Sequence, residues 1–187
     1  YWGVKSLQAW ANHGKFDGAG LSEEQRDLRH FYRQLLRTAR TEKAITQGEM
    51  YDLVYAQAGG FNKHEQYAYI RKYKSQLLLV VLNFDDRQCD ITVRIPQEAF
   101  EHLQLSEHDI VQATDLLTDT TYTFPLSVHT PIYLTLPAWK GVILKIKNYS
   151  YYIPTLALDP YDANTQTNRT LSSTDQSWQS HLLSHIA

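Results

Sequence analysis

Two histidines near the C-terminus, His181 and His185, stand four residues apart, a spacing that lets one face of a helix hold a metal ion. A zinc site also takes a third protein ligand and usually has an acid close by, and the surrounding sequence offers neither. The sequence therefore predicts no metal site.

Two further polar pairs contain groups that can take part in acid–base chemistry. Asp85-Asp86 separates two predicted strands, and we interpret it as a hairpin loop because Asp tolerates turn geometry. His108-Asp109 falls where the chain enters another strand, and we interpret it as a turn. Glycoside hydrolysis needs two carboxyl groups about 5–10 Å apart. No acid in the chain lies in a stretch that predicts a deep, rigid pocket for such a pair.

The other common catalytic motifs are absent from the sequence. It contains no glycine-rich phosphate loop, no cysteine pair and no Gly-x-Ser-x-Gly nucleophile motif. We therefore expect the chain to carry no catalytic residue of its own and to need no cofactor.

The composition excludes several classes of partner. The 187 residues have a net charge of −2 and no cluster of lysine and arginine, so we expect no nucleic-acid partner. The longest apolar run, Leu77 to Leu82, is too short to span a bilayer, so no membrane partner is expected. The single cysteine, Cys89, excludes an internal disulfide and leaves the compartment open.

The N-terminus lacks the features of a signal peptide. Tyr1-Trp2-Gly3 has neither a basic start nor an apolar stretch, and an initiator methionine is missing. We therefore expect the chain to begin inside a larger protein, and the localisation stays undetermined.

One long amphipathic helix is predicted over residues 22–40. Ser22 and Gln25 have the spacing of a capping box, and two glutamates follow the cap. The apolar residues recur at helical spacing along one stripe: Leu28, Phe31, Tyr32, Leu35, Leu36 and Ala39. Before this helix, residues 1–20 show no periodicity and predict an aromatic-rich loop.

From Glu49 onward the apolar period changes to two, which indicates strands. The predicted strands are Met50–Gln57, Gln66–Tyr73, Leu77–Phe84, Ile91–Ile95, Ile110–Ala113, Thr121–Phe124, Ile132–Leu136 and Val142–Ile146. A short helix is predicted at Gln97–Leu103. The run Leu77–Phe84 is apolar at consecutive positions, as in a strand covered on both faces. The pattern predicts a mainly β fold, an antiparallel β-sandwich of about eight strands preceded by one long amphipathic α-helix.

After Pro154 the sequence becomes polar and loses its periodicity, which indicates a surface tail that ends in a short helix around Trp178. The chain has 13 tyrosines, which suit both pleated strands and sugar-facing surfaces. Strands alone account for most of them.

Eight short stretches together resemble a known family. In chain order they are KFDG (15–18), LSEEQ (21–25), LRHFYRQLL (28–36), QGE (47–49), YAYIR (67–71), LLLVVLNF (77–84), DLLT (115–118) and LPAWKGVIL (136–144). Over residues 15–147 this order resembles the C-terminal part of α-amylase-family glycoside hydrolases. That family has FYRxLLxLR-like, LLVVLNF-like, DLLTG-like and LPPYxxxVL-like stretches.

The resemblance implies three parts: the last loop and helix of a (β/α)8 barrel in residues 1–45, a C-terminal β-sandwich in 46–150, and a polar extension in 151–187. It also implies that the catalytic carboxylates of the family lie upstream of Tyr1, so none is assigned here. The loop after the last barrel strand borders the sugar cleft, so Tyr1, Trp2 and Trp10 become candidate residues for stacking on glucose rings, or for packing against the barrel. The missing barrel and the tail after Tyr149 depart from the family pattern.

Three functions therefore remain open from the sequence. The first is a fragment of an α-amylase-like enzyme that acts on α-glucans or α-glucosides, in which the sandwich stabilises the catalytic barrel. The second is a carbohydrate-binding sandwich, and the third is an interaction domain unrelated to sugars. The apolar stripe of helix 22–40 distinguishes the first, because a free-standing sandwich has no need of it. Without a barrel, we expect this stripe to support self-association.

Overall fold

Four helices and eight strands make up the fold in the computed structural model, which describes residues 3–147. The helices are α1 (Lys5–Ala11), α2 (Glu23–Thr41), α3 (Lys43–Thr46) and α4 (Gln97–Leu103). The strands are β1 (Glu49–Asp52), β2 (Gln66–Tyr73), β3 (Gln76–Asn83), β4 (Cys89–Val93), β5 (His108–Asp115), β6 (Thr121–Leu126), β7 (Ile132–Leu136) and β8 (Gly141–Ile146).

The strands form two antiparallel sheets. The larger sheet has six strands in the order β1-β2-β3-β8-β5-β6, and the smaller sheet pairs β4 with β7. Residues of both sheets share the main apolar core, for example Leu79 and Val81 from β3 with Ile91 from β4 and Leu134 from β7. The predicted β-sandwich preceded by a helix is confirmed.

Strand β3 is covered on both faces, as its continuous apolar run predicts. Leu77, Leu79 and Val81 lie in the core between the sheets. Leu78 and Val80 point to the opposite face of the large sheet and are also buried. The large sheet therefore has a second apolar face, which a simple two-sheet sandwich does not require.

The N-terminus of α2 is held by the predicted capping box. The Ser22 hydroxyl accepts a hydrogen bond from the backbone N–H of Gln25 at 3.2 Å, and the Gln25 side chain accepts one from the backbone N–H of Ser22 at 3.0 Å. Glu23 and Glu24 lie in the first turn, where they complement the positive end of the helix dipole.

Two local predictions are wrong. The sequence predicts a loop over residues 1–20, but they contain helix α1. The N-cap residue of α1, Val4, makes no side-chain cap and the first turn has no acidic residue, so the sequence has no signal for the start of this helix. The predicted strand from Met50 ends at Asp52. The Asp52 carboxylate accepts a hydrogen bond from the N–H of Val54 at 2.8 Å, and this bond begins a 3₁₀ turn over Val54–Ala56.

The interpretations of the two polar pairs also change. Asp85-Asp86 does not close a hairpin, because β3 and β4 lie in different sheets and the pair belongs to a connection between them. His108 and Asp109 lie in β5 itself, where the register with β6 shifts between His108 and Val111. Polar residues are common both in turns and at irregular positions within strands, so His108-Asp109 has the composition of a turn although it lies in β5.

The predictions for Tyr1, Trp2, the polar extension and the histidine pair at 181 and 185 lie outside the described residues. Within residues 3–147, no helix is both long and apolar enough to cross a membrane.

Candidate functional site: the exposed face of the long helix

Helix α2 presents apolar side chains to solvent along one stripe. The exposed fractions are 57% for Leu28, 41% for Phe31, 53% for Tyr32 and 66% for Leu36. Side chains of this kind are seldom left in water as a contiguous stripe on a helix that folds alone. The stripe is therefore a surface that lacks a partner among residues 3–147.

A groove of about 720 Å³ runs between α1 and this stripe. Its walls include Trp10, Leu21, Leu28, Arg29, Tyr32 and Leu36. The groove is mostly apolar, with arginines at its margin.

Trp10 is the one predicted sugar-stacking residue within the described residues. It lies on α1, is half-buried, and its ring meets that of Phe16 edge-on with a centroid separation of 5.3 Å. Neither role predicted for Trp10, stacking on glucose rings or packing against a barrel, is tested by this contact.

The C-terminal end of α2 and the short helix α3 lie on the second apolar face of the large sheet. Ala44 is fully buried, and Leu35 and Ile45 pack beside it. They cover Leu78 of β3 and Ile143 of β8. Leu82, Leu116 and Leu117 belong to the same cluster but remain partly exposed. The apolar surface thus extends from the helix stripe onto the sheet.

Polar side chains fix this helix–sheet junction. The Lys145 ammonium donates to the Glu42 carboxylate at 2.9 Å, and Gln76 donates to the same carboxylate. Arg71 donates from Nε to the carbonyl of Ala44 at 2.9 Å and from Nη2 to that of Ile45. The Arg71 bonds reach carbonyl groups of α3, and the Glu42 carboxylate belongs to the residue between α2 and α3. Together these bonds hold the C-terminal end of α2 at a defined place on the sheet.

Two motif residues have structural roles in the fold. The buried Asn83 amide donates to the carbonyls of Leu136 and Pro137 at 3.2 and 3.0 Å, which ties β3 to the end of β7. The buried Asp115 carboxylate accepts from the N–H of Ile143 at 2.9 Å and from the Thr118 hydroxyl at 2.6 Å. Both side chains are buried because they accept from or donate to backbone groups of neighbouring strands, which local sequence patterns do not reveal.

Charged side chains cluster around Asp85 in the connection between β3 and β4. Hydrogen bonding to the Arg87 side chain holds the pKa of the Asp85 carboxyl well below its usual range. The pKa of Glu65 is raised by a hydrogen bond with Asp85 and by the negative charge of Asp85. The Arg87 Nε atom lies 3.3 Å from Asp85 Oδ1, so the cluster is a turn held by an ion pair. Among residues 3–147, no group of three or more His, Cys, Asp or Glu side chains is arranged to hold a metal ion.

Comparisons with known proteins agree at the level of the fold. No protein-family model matches the sequence, and no curated protein matches it. Among solved structures, an AmyP variant in complex with maltotriose is similar, with a TM-score of 0.52 and 20% identity over 73% of this chain and 24% of that chain. AmyP in complex with maltose gives a TM-score of 0.52 and 18% identity, with the same coverage.

A maltogenic α-amylase, AmyB from Thermotoga neapolitana, has a TM-score of 0.49 and 16% identity over 67% of this chain and 26% of AmyB. The chain thus spans about a quarter of the length of these structures. At identities this low, the two AmyP structures establish a shared fold alone.

Proposed function

We propose that this chain is the C-terminal part of an α-amylase-like glycoside hydrolase that acts on α-glucans or α-glucosides. In this proposal, residues 1–45 complete a (β/α)8 barrel and residues 46–150 form the sandwich that stabilises it. Residues 151–187 are a polar extension. The catalytic carboxylates belong to the barrel, and Tyr1, Trp2 and Trp10 border its sugar cleft.

The exposed stripe of α2 carries the proposal. Fully burying one Leu or Phe side chain stabilises a fold by about 1.5–3 kcal/mol. Leaving several such side chains of the stripe in water forgoes this stabilisation at each position. The partly exposed Leu82, Leu116 and Leu117 continue the stripe onto the outer face of the large sheet. A barrel that packs against both surfaces would bury them together.

The junction of α2 with the sheet supports the same conclusion. Glu42, Lys145 and Arg71 fix one end of the helix on the sandwich, while its apolar side faces away from the main core. The helix therefore contacts the sandwich at one end and presents an apolar surface to a second layer, which in this proposal is the barrel. A free-standing sugar-binding sandwich gives no reason for this arrangement.

The catalytic part of the proposal is tested by comparing two lengths of the same gene product. We expect the 187-residue chain to leave maltooligosaccharides and an aryl α-glucoside intact. A longer product that includes the residues before Tyr1 should hydrolyse at least one of them. Turnover by the short chain that disappears when one of its own acids is replaced would overturn the proposal, as would an inactive but folded longer product.

The packing part is tested in that longer product with a matched pair of variants. Leu36→Lys places a charge on the stripe and should lower the melting temperature of the enzyme. Tyr133→Lys is the control, because Tyr133 is 72% exposed on β7, in the smaller sheet. Equal melting temperatures for the two variants would show that α2 does not face the barrel.

A further inference from the structure

A cluster of aromatic and polar side chains lies at the free edge of the large sheet, away from α2. Tyr51 on β1 and Tyr55 in the following 3₁₀ turn share a hydrogen bond between their hydroxyls at 2.8 Å. Their ring centroids are 6.3 Å apart and the planes are tilted by 54°. The His102 ring of α4 lies 5.4 Å from that of Tyr51, and its Nε2 is hydrogen-bonded to the Glu49 carboxylate.

Tyr55 is exposed, yet its backbone is held rigidly. It is 57% exposed and follows the fully buried Leu53. The buried Gln57 amide donates to the carbonyls of Leu53 and Arg94, both at 2.8 Å, and accepts from the N–H of Arg94 at 2.8 Å. The turn is thus fixed to the strand that leads into α4, and the core does not depend on the Tyr55 ring.

The groups around Tyr55 are suited to hydroxyl-rich ligands. The hydroxyls of the two tyrosines both donate and accept, and the Glu49 carboxylate accepts several hydrogen bonds. The Lys63 ammonium donates to the backbone carbonyl of Tyr55 at 3.2 Å and adds a cationic donor to this region. Flat rings with polar tips, next to a carboxylate and an ammonium group, match the apolar faces and hydroxyl edges of sugars.

We propose that Tyr51, Tyr55, His102 and Glu49 form a surface subsite for α-1,4-glucan chains. The choice of an α-glucan rests on the proposed function and on the tilt of the two rings. Consecutive glucose units of an α-1,4-linked chain follow a curved path, so a platform of mutually inclined rings fits them. A flat β-linked chain would instead require coplanar rings. The subsite holds substrate and performs no chemistry.

Native gel electrophoresis of the 187-residue chain, with and without amylopectin in the gel, tests the subsite. We expect amylopectin to retard the chain, and maltoheptaose in solution to reverse the retardation. Tyr55→Ala should weaken the affinity about tenfold, because it removes the exposed stacking face. Tyr55→Phe keeps the ring and should retain most of the binding. Tyr133→Ala is the matched control, since Tyr133 is 72% exposed on β7 in the other sheet.

Three outcomes would overturn the subsite: no retardation of the unchanged chain, equal retardation of the Tyr55→Ala variant, or equal retardation by the α-1,6-linked polymer dextran. Circular dichroism of each variant shows whether the fold is retained. The result is independent of hydrolysis. If the longer product is inactive and the 187-residue chain is retarded, the proposed enzyme function is wrong and the subsite stands. If the longer product is active and the 187-residue chain is not retarded, only the subsite is wrong.

Discussion

At the scale of single residues, Gly48 has the least space for a side chain among the glycines of residues 3–147. A side chain there would collide with the carbonyl of Ala44 on α3 and would lie 2.7 Å from the carbonyl of Lys72 on β2. Both contacts are backbone, so neither can move aside independently. Glycine is therefore required for the last turn of α3 to approach the sheet.

We expect Gly48→Ala to lower the free energy of unfolding by about 1–3 kcal/mol, the usual range for forcing extra volume into a packed site. Gly59→Ala is the control, because a methyl group at Gly59 meets nothing within 4 Å. Urea unfolding of both variants makes the comparison. Equal midpoints would mean that α3 does not sit against β2 as described.

The Tyr51–Tyr55 pair offers a pH-dependent prediction. The hydrogen bond to Tyr51 is the largest cause that raises the pKa of Tyr55, from an ordinary value of 10.0 to about 12. We expect Tyr51→Phe to return the pKa of Tyr55 towards 10.0, because the phenol then loses that partner. NMR titration of isotopically labelled tyrosine rings measures it, and an unchanged titration of Tyr55 would contradict the contact.

The sign of the effect on stability follows from the raised pKa of Tyr55. The folded chain holds the Tyr55 proton more tightly than the unfolded chain. The stabilisation from this bond is therefore complete below pH 10.0 and is lost as the pH rises towards about 12.

At the scale of elements, β3 is the strand on which both apolar layers depend. Leu79 is 1% exposed in the core between the sheets. Leu79→Ala should reduce the free energy of unfolding by about 2–5 kcal/mol, as for other buried leucines. Ile110→Ala, at a position that is 71% exposed and outside the α2 stripe, serves as the reference and should change much less. A loss below about 1 kcal/mol for Leu79→Ala in chemical denaturation would contradict its burial.

Local sequence patterns predict some of the helices and strands, but they do not predict which strands pair. Helix α2 and strands β2, β3 and β7 follow from local periodicity and capping, because each signal lies within the element. Strand pairing does not: Asp85-Asp86 has the composition of a hairpin loop, yet β3 pairs with the distant β8. The sequence pattern does not identify the Tyr51–Tyr55 cluster, because it predicts one continuous strand from Met50 to Gln57 and the chain instead turns after Asp52. Its closeness to His102 needs the packing of α4 beside β1, which no local pattern encodes.

At the scale of the whole molecule, the stripe of α2 should control association of the isolated chain. Phe31 and Leu36 lie on the stripe, whereas Leu35 packs against the sheet face and is unsuitable for a surface test. We expect the unchanged chain to self-associate through residues 22–40. The double variant Phe31→Glu and Leu36→Lys should be a monomer with the same β content, because the charges remove the apolar contact.

Sedimentation velocity of both proteins over a range of concentrations makes the measurement, and circular dichroism controls for folding. A clean monomer of the unchanged chain at high concentration would exclude the pairing.

The position of β8 has a consequence for synthesis on the ribosome. It is the last strand in the described sequence, yet it lies between β3 and β5 and joins two halves of the large sheet. A nascent chain that ends at Trp139 contains β1–β3 and β5–β6 as separate pieces, each with an open edge. The two pieces can join only after Ile146 has emerged, so completion of the large sheet waits until the end of this region is translated. Such late closure through distant strands slows folding and leaves the unpaired edges open to chaperones in the interval.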